Sequence, residues 1–178
     1  MDESRPVQAY AILEASDGTG PKGKVKLTQL TPEHAVRVQV EAVGFPRNKE
    51  HGFHIHESGD ISRGCESMGG HFNPENKMHG GREELWFRHA GDLGNLMSDG
   101  NGRVRQTLEI RGISLYASQT KHNVVNRGIV IHEQRDDHGL GGWNCNTRGH
   151  VCEASRKDSN ETGNSGKRIL CGTIHRIQ

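Results

Sequence analysis

The sequence predicts an all-β fold, an antiparallel barrel or sandwich, on three observations. Eight short stretches alternate apolar with polar residues or concentrate β-branched ones, turn-rich glycine clusters separate them, and no stretch carries a convincing helical period. Short strands spaced in this way pack as one closed sheet or two facing ones. The 178 residues make most simply a single domain, 1–178, long enough to bury a real core. Apolar residues are only 31% of the chain, but disorder also calls for a large net charge, and the formal net charge is +1. The 24 glycines then read as long loops on a small barrel. A near-neutral chain offers no footing for nucleic acid, and no apolar run approaches a membrane span.

Residues 7–15 and 24–30 read as two strands joined through Asp17-Gly18-Thr19-Gly20-Pro21, an opening hairpin. Val36, Val38 and Val40 alternate with Arg37, Gln39 and Glu41, a half-buried strand that has ended by Pro46. In His51-Gly52-Phe53-His54-Ile55-His56 the period of two sends His54 and His56 to one face and Phe53 and Ile55 to the other. One face offers imidazoles that suit copper or zinc, and the other fills a core. His71, His79, His89 and Asp92 follow in a glycine-rich stretch with no regular period. Three histidines and an aspartate can close a tetrahedral zinc site without a thiolate. Beyond the Asp99-Gly100-Asn101-Gly102 turn, 103–110 and 113–116 continue the strand pattern. In 123–132, Ile129 and Ile131 share one face and His132 the other, and 168–177 supply the last strand.

As a set these residues closely resemble the copper/zinc superoxide dismutases. HGFHIHESGD (51–60), GGHFNPENKMHGG (69–81), RHAGDLGN (88–95), GIVIHEQRDDHG (128–139) and GNSGKRILCGTI (163–174) carry the resemblance, ordered and spaced as in that family over nearly the whole chain. The resemblance implies an eight-stranded Greek-key barrel with long metal-binding and active-site loops, and one copper and one zinc ion per chain. His54, His56, His71 and His132 match the copper ligands, and His71, His79, His89 and Asp92 the zinc ligands. The shared His71 would bridge the two ions as an imidazolate and take up a proton during turnover. Asp136 matches the carboxylate that holds His54 and His79 by their free ring nitrogens. Arg168 matches the arginine beside the copper channel, where a fixed cation attracts a small anion. The implied reaction is disproportionation of superoxide to oxygen and hydrogen peroxide by Cu(II)/Cu(I) cycling, an antioxidant activity. The zinc is structural, and a copper chaperone is the implied loading partner.

Four cysteines allow three pairings. The family pairs the positions of Cys65 and Cys171, which leaves Cys145 with Cys152 inside an insertion at about 143–160. Six intervening residues suit a local disulfide, with free thiols or an adventitious metal site as the other readings. That extra pair and the Asn160-Glu161-Thr162 sequon point to an extracellular protein whose signal peptide is absent from the chain as given; the charged start Met1-Asp2-Glu3-Ser4-Arg5 fits a cytoplasmic one. Two departures stand out. Leu85-Trp86-Phe87 lies where the His79 to His89 spacing is one residue longer than the family's, an apolar triplet expected to pack over the zinc loop or a neighbour and able to loosen the zinc geometry. Ser58, Asn126, His175 and Arg176 replace aromatic, glycine and small or apolar residues at the family's two-fold interface, which predicts a homodimer weakened or rearranged, down to a monomer. Other functions these residues allow are metal binding with little turnover and copper delivery. The chain lacks the Cys-x-x-Cys and Cys-x-Cys pairs that such delivery uses.

Overall fold

A computed structural model describes residues 4–84, 86–141 and 151–177, the side chains of 151–155 excepted. Its strands run β1 (Val7–Glu14), β2 (Lys22–Gln29), β3 (Val36–Val43), β4 (Glu50–His56), β5 (Ser62–Cys65), β6 (Asp92–Met97), β7 (Arg103–Ile110), β8 (Gly128–His132), β9 (Arg168–Thr173) and β10 (His175–Arg176). The strand order is β6-β4-β8-β9-β1-β2-β3-β7, with every pairing antiparallel and β10 added to β1. The two end strands, β6 and β7, are joined by the turn at Asp99–Arg103 and touch where Met97 N donates to the Gln106 side chain, so the barrel is nearly closed. Residues 44–49 and 111–127 cross its ends, joining β3 to β4 and β7 to β8, which are not neighbours in the sheet. These crossovers make the topology a Greek key.

The period of two decides what fills the barrel. Val36, Val38, Val40 and Ala42 of β3 are buried while the residues between them are exposed, and β7 repeats the pattern with Val104, Leu108 and Ile110. Phe53, Ile55, Ile129 and Ile131 are fully buried and belong to the same core. On β4 and β8 the outward face is buried too: His54, His56, Val130 and His132 lie under covering loops. The imidazoles that alternation places outside the barrel are therefore out of bulk water.

Several expectations need correction. Residues 113–116 form no strand but a single parallel bridge, Ser114 to Asn123, and the strand expected over 123–132 begins only at Gly128. β5 and β6 arise where no strand pattern was legible; β6 is held by its ladder to β4, with a register shift between Gly52 and His54. The insertion ends in a helix, α1 (Val151–Thr162), where none was expected. Its sequence, VCEASRKDSNET, has no apolar stripe to announce it, and its C-terminal half is anchored by polar contacts: Ser159 is buried and donates to Asp137 Oδ1 at 2.8 Å, and Asn160 O accepts from His79 N at 3.1 Å. The expected Cys145 to Cys152 disulfide lies outside the described residues, as does Leu85. Trp86 and Phe87 do not pack down: they are 78% and 59% exposed. Ahead of them Glu84 N closes a turn on Gly81 O.

Candidate metal centre

Backbone bonds lay the glycine-rich segment against β4. Phe72 N donates to Ile55 O at 2.8 Å, Gly91 N to Phe72 O at 2.9 Å, and Ile55 N to Gly91 O at 2.8 Å. Only glycine fits at 91, because a Cβ there would run into Ile55 O. Arg88, buried, donates to the carbonyls of His89, Ala90 and Asp92 at 3.1, 3.3 and 3.1 Å and also to Arg111 O, fixing the loop from within. The result brings His71, His79, His89 and Asp92 beside His54, His56 and His132.

Each of the two groups has ligand atoms within 4.8 Å of one another: His54, His56, His71 and His132 in one, His71, His79, His89 and Asp92 in the other. In the first, every ring outside His71 is pinned by one nitrogen and leaves the other bare. His54 Nε2 donates to Asp136 Oδ2 at 2.6 Å, His56 Nδ1 to Gly69 O at 2.9 Å and His132 Nδ1 to Gly166 O at 3.1 Å. His54 Nδ1, His56 Nε2 and His132 Nε2 are buried with no hydrogen-bond partner. Three convergent lone pairs in a buried pocket are unfavourable by themselves and are the donor set of a metal. In the second group, Asp92 Oδ1 lies 2.8 Å from His71 Nδ1 and 3.2 Å from His89 Nδ1, and Asp92 Oδ2 lies 3.1 Å from His79 Nδ1. His71 Nδ1 and His89 Nδ1 approach to 3.3 Å. Two imidazole nitrogens so close around one carboxylate match a cation between them.

Electrostatics separates the groups. Burial, then the neighbouring His71, holds His54 and His56 well below the usual histidine range, and burial with His71 and Arg168 nearby brings His132 to about 4. These rings are neutral at pH 7, the form that binds metal. Burial alone would push His79 down as well, but Asp136 and Asp92 outweigh it and raise its pKa to about 10. Burial opposes ionisation of Asp92 and Asp136, yet their histidine donors hold both below the ordinary carboxylate range.

Asp136 links the groups, its Oδ1 accepting from His79 Nε2 at 2.8 Å while Oδ2 takes His54. Arg168 borders a cleft of about 440 Å³ that reaches His56, His71 and His132, and its guanidinium donates to Cys65 O at 3.0 Å and Gly69 O at 2.6 Å. Cys65 is bonded to Cys171, with Cα atoms 5.7 Å apart, so the disulfide stands directly behind the arginine's anchor. A family model described as copper/zinc superoxide dismutase matches residues 21–174. The chain belongs to the copper/zinc superoxide dismutase family. An extracellular copper/zinc superoxide dismutase of Drosophila melanogaster is 42% identical over 172 residues, 95% of this chain and 85% of that one. The copper/zinc superoxide dismutase of Schizosaccharomyces pombe is 39% identical over 168 residues, 94% and 97% of the two chains. A copper chaperone for superoxide dismutase from Sus scrofa is 38% identical, but the match spans 53% of its length. The crystal structure of the clock protein EA4 superposes with a TM-score of 0.79 at 38% identity, covering 97% of this chain and 96% of that one.

Membership of the superoxide dismutase family implies copper and zinc, and the bare nitrogens and the carboxylate cluster fit them. Sequence reasoning missed four supports. His51, buried, donates Nδ1 to the His132 carbonyl at 2.9 Å. Asn95 grips Asp136 at both backbone groups, and Arg88 and Asp137 brace the zinc-side loop and α1. None has a spacing signal: His51, Asn95 and Asp137 act on segments distant in the chain, and Arg88 acts on carbonyls of its own irregular loop and on Arg111.

Proposed function

We propose that the two groups hold one copper and one zinc ion per chain and that this pair dismutates superoxide. The carrying observation is the set of three buried, partnerless nitrogens, His54 Nδ1, His56 Nε2 and His132 Nε2, beside a histidine shared with a carboxylate cluster. In this reading His54, His56, His71 and His132 hold copper, and His71, His79, His89 and Asp92 hold zinc. Copper supplies a one-electron couple that alternately accepts and returns an electron, whereas zinc has no redox chemistry. The protein's own residues do the rest. Arg168, with two donors committed to carbonyls, presents a fixed cation at the mouth of the cleft and orients a small anion. His71 keeps Nδ1 toward Asp92, so Nε2 is the position that can take up a proton and give it to the reduced product. Asp136 keeps the His54 and His79 rings in the orientation that metal binding needs.

The test is superoxide decay per bound copper after reconstitution with both metals. Rapid catalysis supports the enzyme. Slow decay at full copper occupancy, verified by electron paramagnetic resonance, replaces it with metal binding without turnover. Copper delivery is the less supported reading, since the matching family model and the relatives from Drosophila melanogaster and Schizosaccharomyces pombe are superoxide dismutases. The protein acts outside the cell in this reading, supported by the similarity to an extracellular relative. It dimerises weakly or in another arrangement, or stays a monomer, since exposed His175 and Arg176 stand on β10 beside Tyr10 of β1. Analytical ultracentrifugation showing a tight dimer at nanomolar concentration would overturn the last statement.

A further inference from the structure

We propose that Asn160 carries an N-linked glycan whose first sugars lie in an apolar groove beside the zinc-side loop. The inference rests on reading the protein as extracellular, because a chain meets the donor of such a glycan in the secretory pathway. Asn160-Glu161-Thr162 is the one acceptor triplet in the chain, and Asn160 lines a surface groove of about 600 Å³. Met78, Phe87 and Leu140 line the same groove and stand 57%, 59% and 57% exposed. Apolar side chains gathered in one concavity and rimmed by Glu50, Arg82 and Glu84 mark a surface that something covers. Among the described residues nothing hydrogen-bonds the Asn160 side chain, so its amide nitrogen is free to carry a substituent.

Backbone contacts hold the attachment point beside the groove. Asn160 O accepts from His79 N at 3.1 Å, next in the chain to Met78, and a Cβ on Gly139, which precedes Leu140, would lie 3.9 Å from Ser159 O. Phe87 is fixed near them, its carbonyl lying against Gly80. A pyranose ring has a face of C–H groups and a rim of hydroxyls, so its face suits Phe87 and its hydroxyls suit the charged rim. Attachment joins Asn160 Nδ2 to the anomeric carbon of an oligosaccharide delivered as a lipid pyrophosphate. The bond from Nδ2 to that carbon forms, the bond from the carbon to the pyrophosphate oxygen breaks, the lipid pyrophosphate leaves and the amide nitrogen gives up one proton. Transfer precedes closure of α1. In the folded helix residues two apart do not face each other, and Thr162 Oγ1 donates to Asp158 O at 2.8 Å, so the hydroxyl that the triplet needs beside Asn160 is committed elsewhere.

The test expresses the full chain behind an added signal peptide in cells that N-glycosylate. An unmodified Asn160 then counts against the site, whereas the extracellular reading stands or falls separately on whether the native protein is found outside its cells. Intact mass and peptide mapping compare wild type with Asn160→Gln, Thr162→Ala and Thr162→Ser. Wild type and Thr162→Ser are expected to carry one glycan, removed by peptide N-glycosidase with conversion of Asn160 to aspartate, and the other two variants none. Unmodified Asn160 in the secreted wild type overturns the site. Seating in the groove is read with anilinonaphthalene sulfonate, a dye that reports exposed apolar surface. Asn160→Gln and Thr162→Ala, which lose the glycan by different substitutions, should both bind severalfold more dye than wild type, and adding Phe87→Ser to Asn160→Gln should remove most of that gain. Equal dye binding with and without the glycan overturns the seating and leaves the groove to a second copy or another partner. A gain in one variant alone is a folding defect and overturns it too.

Discussion

Asp136→Asn tests the link between the two groups. The carboxylate accepts three donors: His54 Nε2 at 2.6 Å, His79 Nε2 at 2.8 Å and the backbone N–H of His138 at 2.7 Å. Asparagine keeps the shape but offers one oxygen and one NH₂, so at least one donor must face another donor. Asp136 is fully buried, and water cannot take over the lost bond. Losing one charge-assisted bond costs about 1.5–3 kcal/mol, which corresponds to a loss of roughly ten- to a hundredfold in metal affinity. Copper should suffer more than zinc. Oδ1 accepts two donors, His79 Nε2 and His138 N, and Oδ2 only His54 Nε2, so the amide oxygen keeps the Oδ1 side and the NH₂ faces the copper-side ring of His54. Competition with a chromophoric chelator, run separately for each metal, measures both losses, and circular dichroism verifies the fold. Copper affinity within twofold of wild type, or a larger loss for zinc, would refute the reasoning.

Other outcomes follow from the same geometry. Cys65→Ser opens a link across 106 residues and should cost roughly 4–5 kcal/mol in urea unfolding, with Arg168 loosened because its Cys65 anchor is freed. Arg168→Lys keeps the charge but not the two-carbonyl grip, so kcat/KM should fall about tenfold with metal content unchanged. Gly91→Ala drives a methyl into Ile55 O and should lower stability by about 2–4 kcal/mol while weakening zinc retention, read by calorimetry and metal analysis. In the metal-free protein, His54, His56 and His132 are depressed below the unfolded histidine value, so stability falls as pH drops below about 6.5. His79 is raised, so its contribution is complete below about pH 6.5 and is lost as pH climbs toward about 10. Urea midpoints in chelator should peak near neutrality, and a midpoint still rising from pH 7 to 9 would contradict this.

Much of the barrel was legible because alternation is local. β1, β2, β3 and β7 follow their apolar periods, and the faces of β4 and β8 are set by His54, His56, Ile129 and Ile131 within a few residues. Of the candidate metal residues, His54, His56 and His132 were placed on one face by their period, whereas the roles of all seven came residue by residue through resemblance to a family, since the loop between β5 and β6 that carries His71, His79 and His89 has no period. β6 was not legible because its pairing to β4 comes from a partner distant in sequence, and α1 was not because polar anchors replace an apolar stripe. By itself the sequence determined which side chains share a face and which chemistry they bring. Tertiary structure alone decided that the outward imidazoles are buried and that Asp158 and Glu161 border the cleft with Arg168, and it bonds Asp136 to His54 and His79 as the resemblance implied. The physical reason is that burial, shared hydrogen bonds and the charge of a channel are properties of neighbours in space, which a local pattern does not encode.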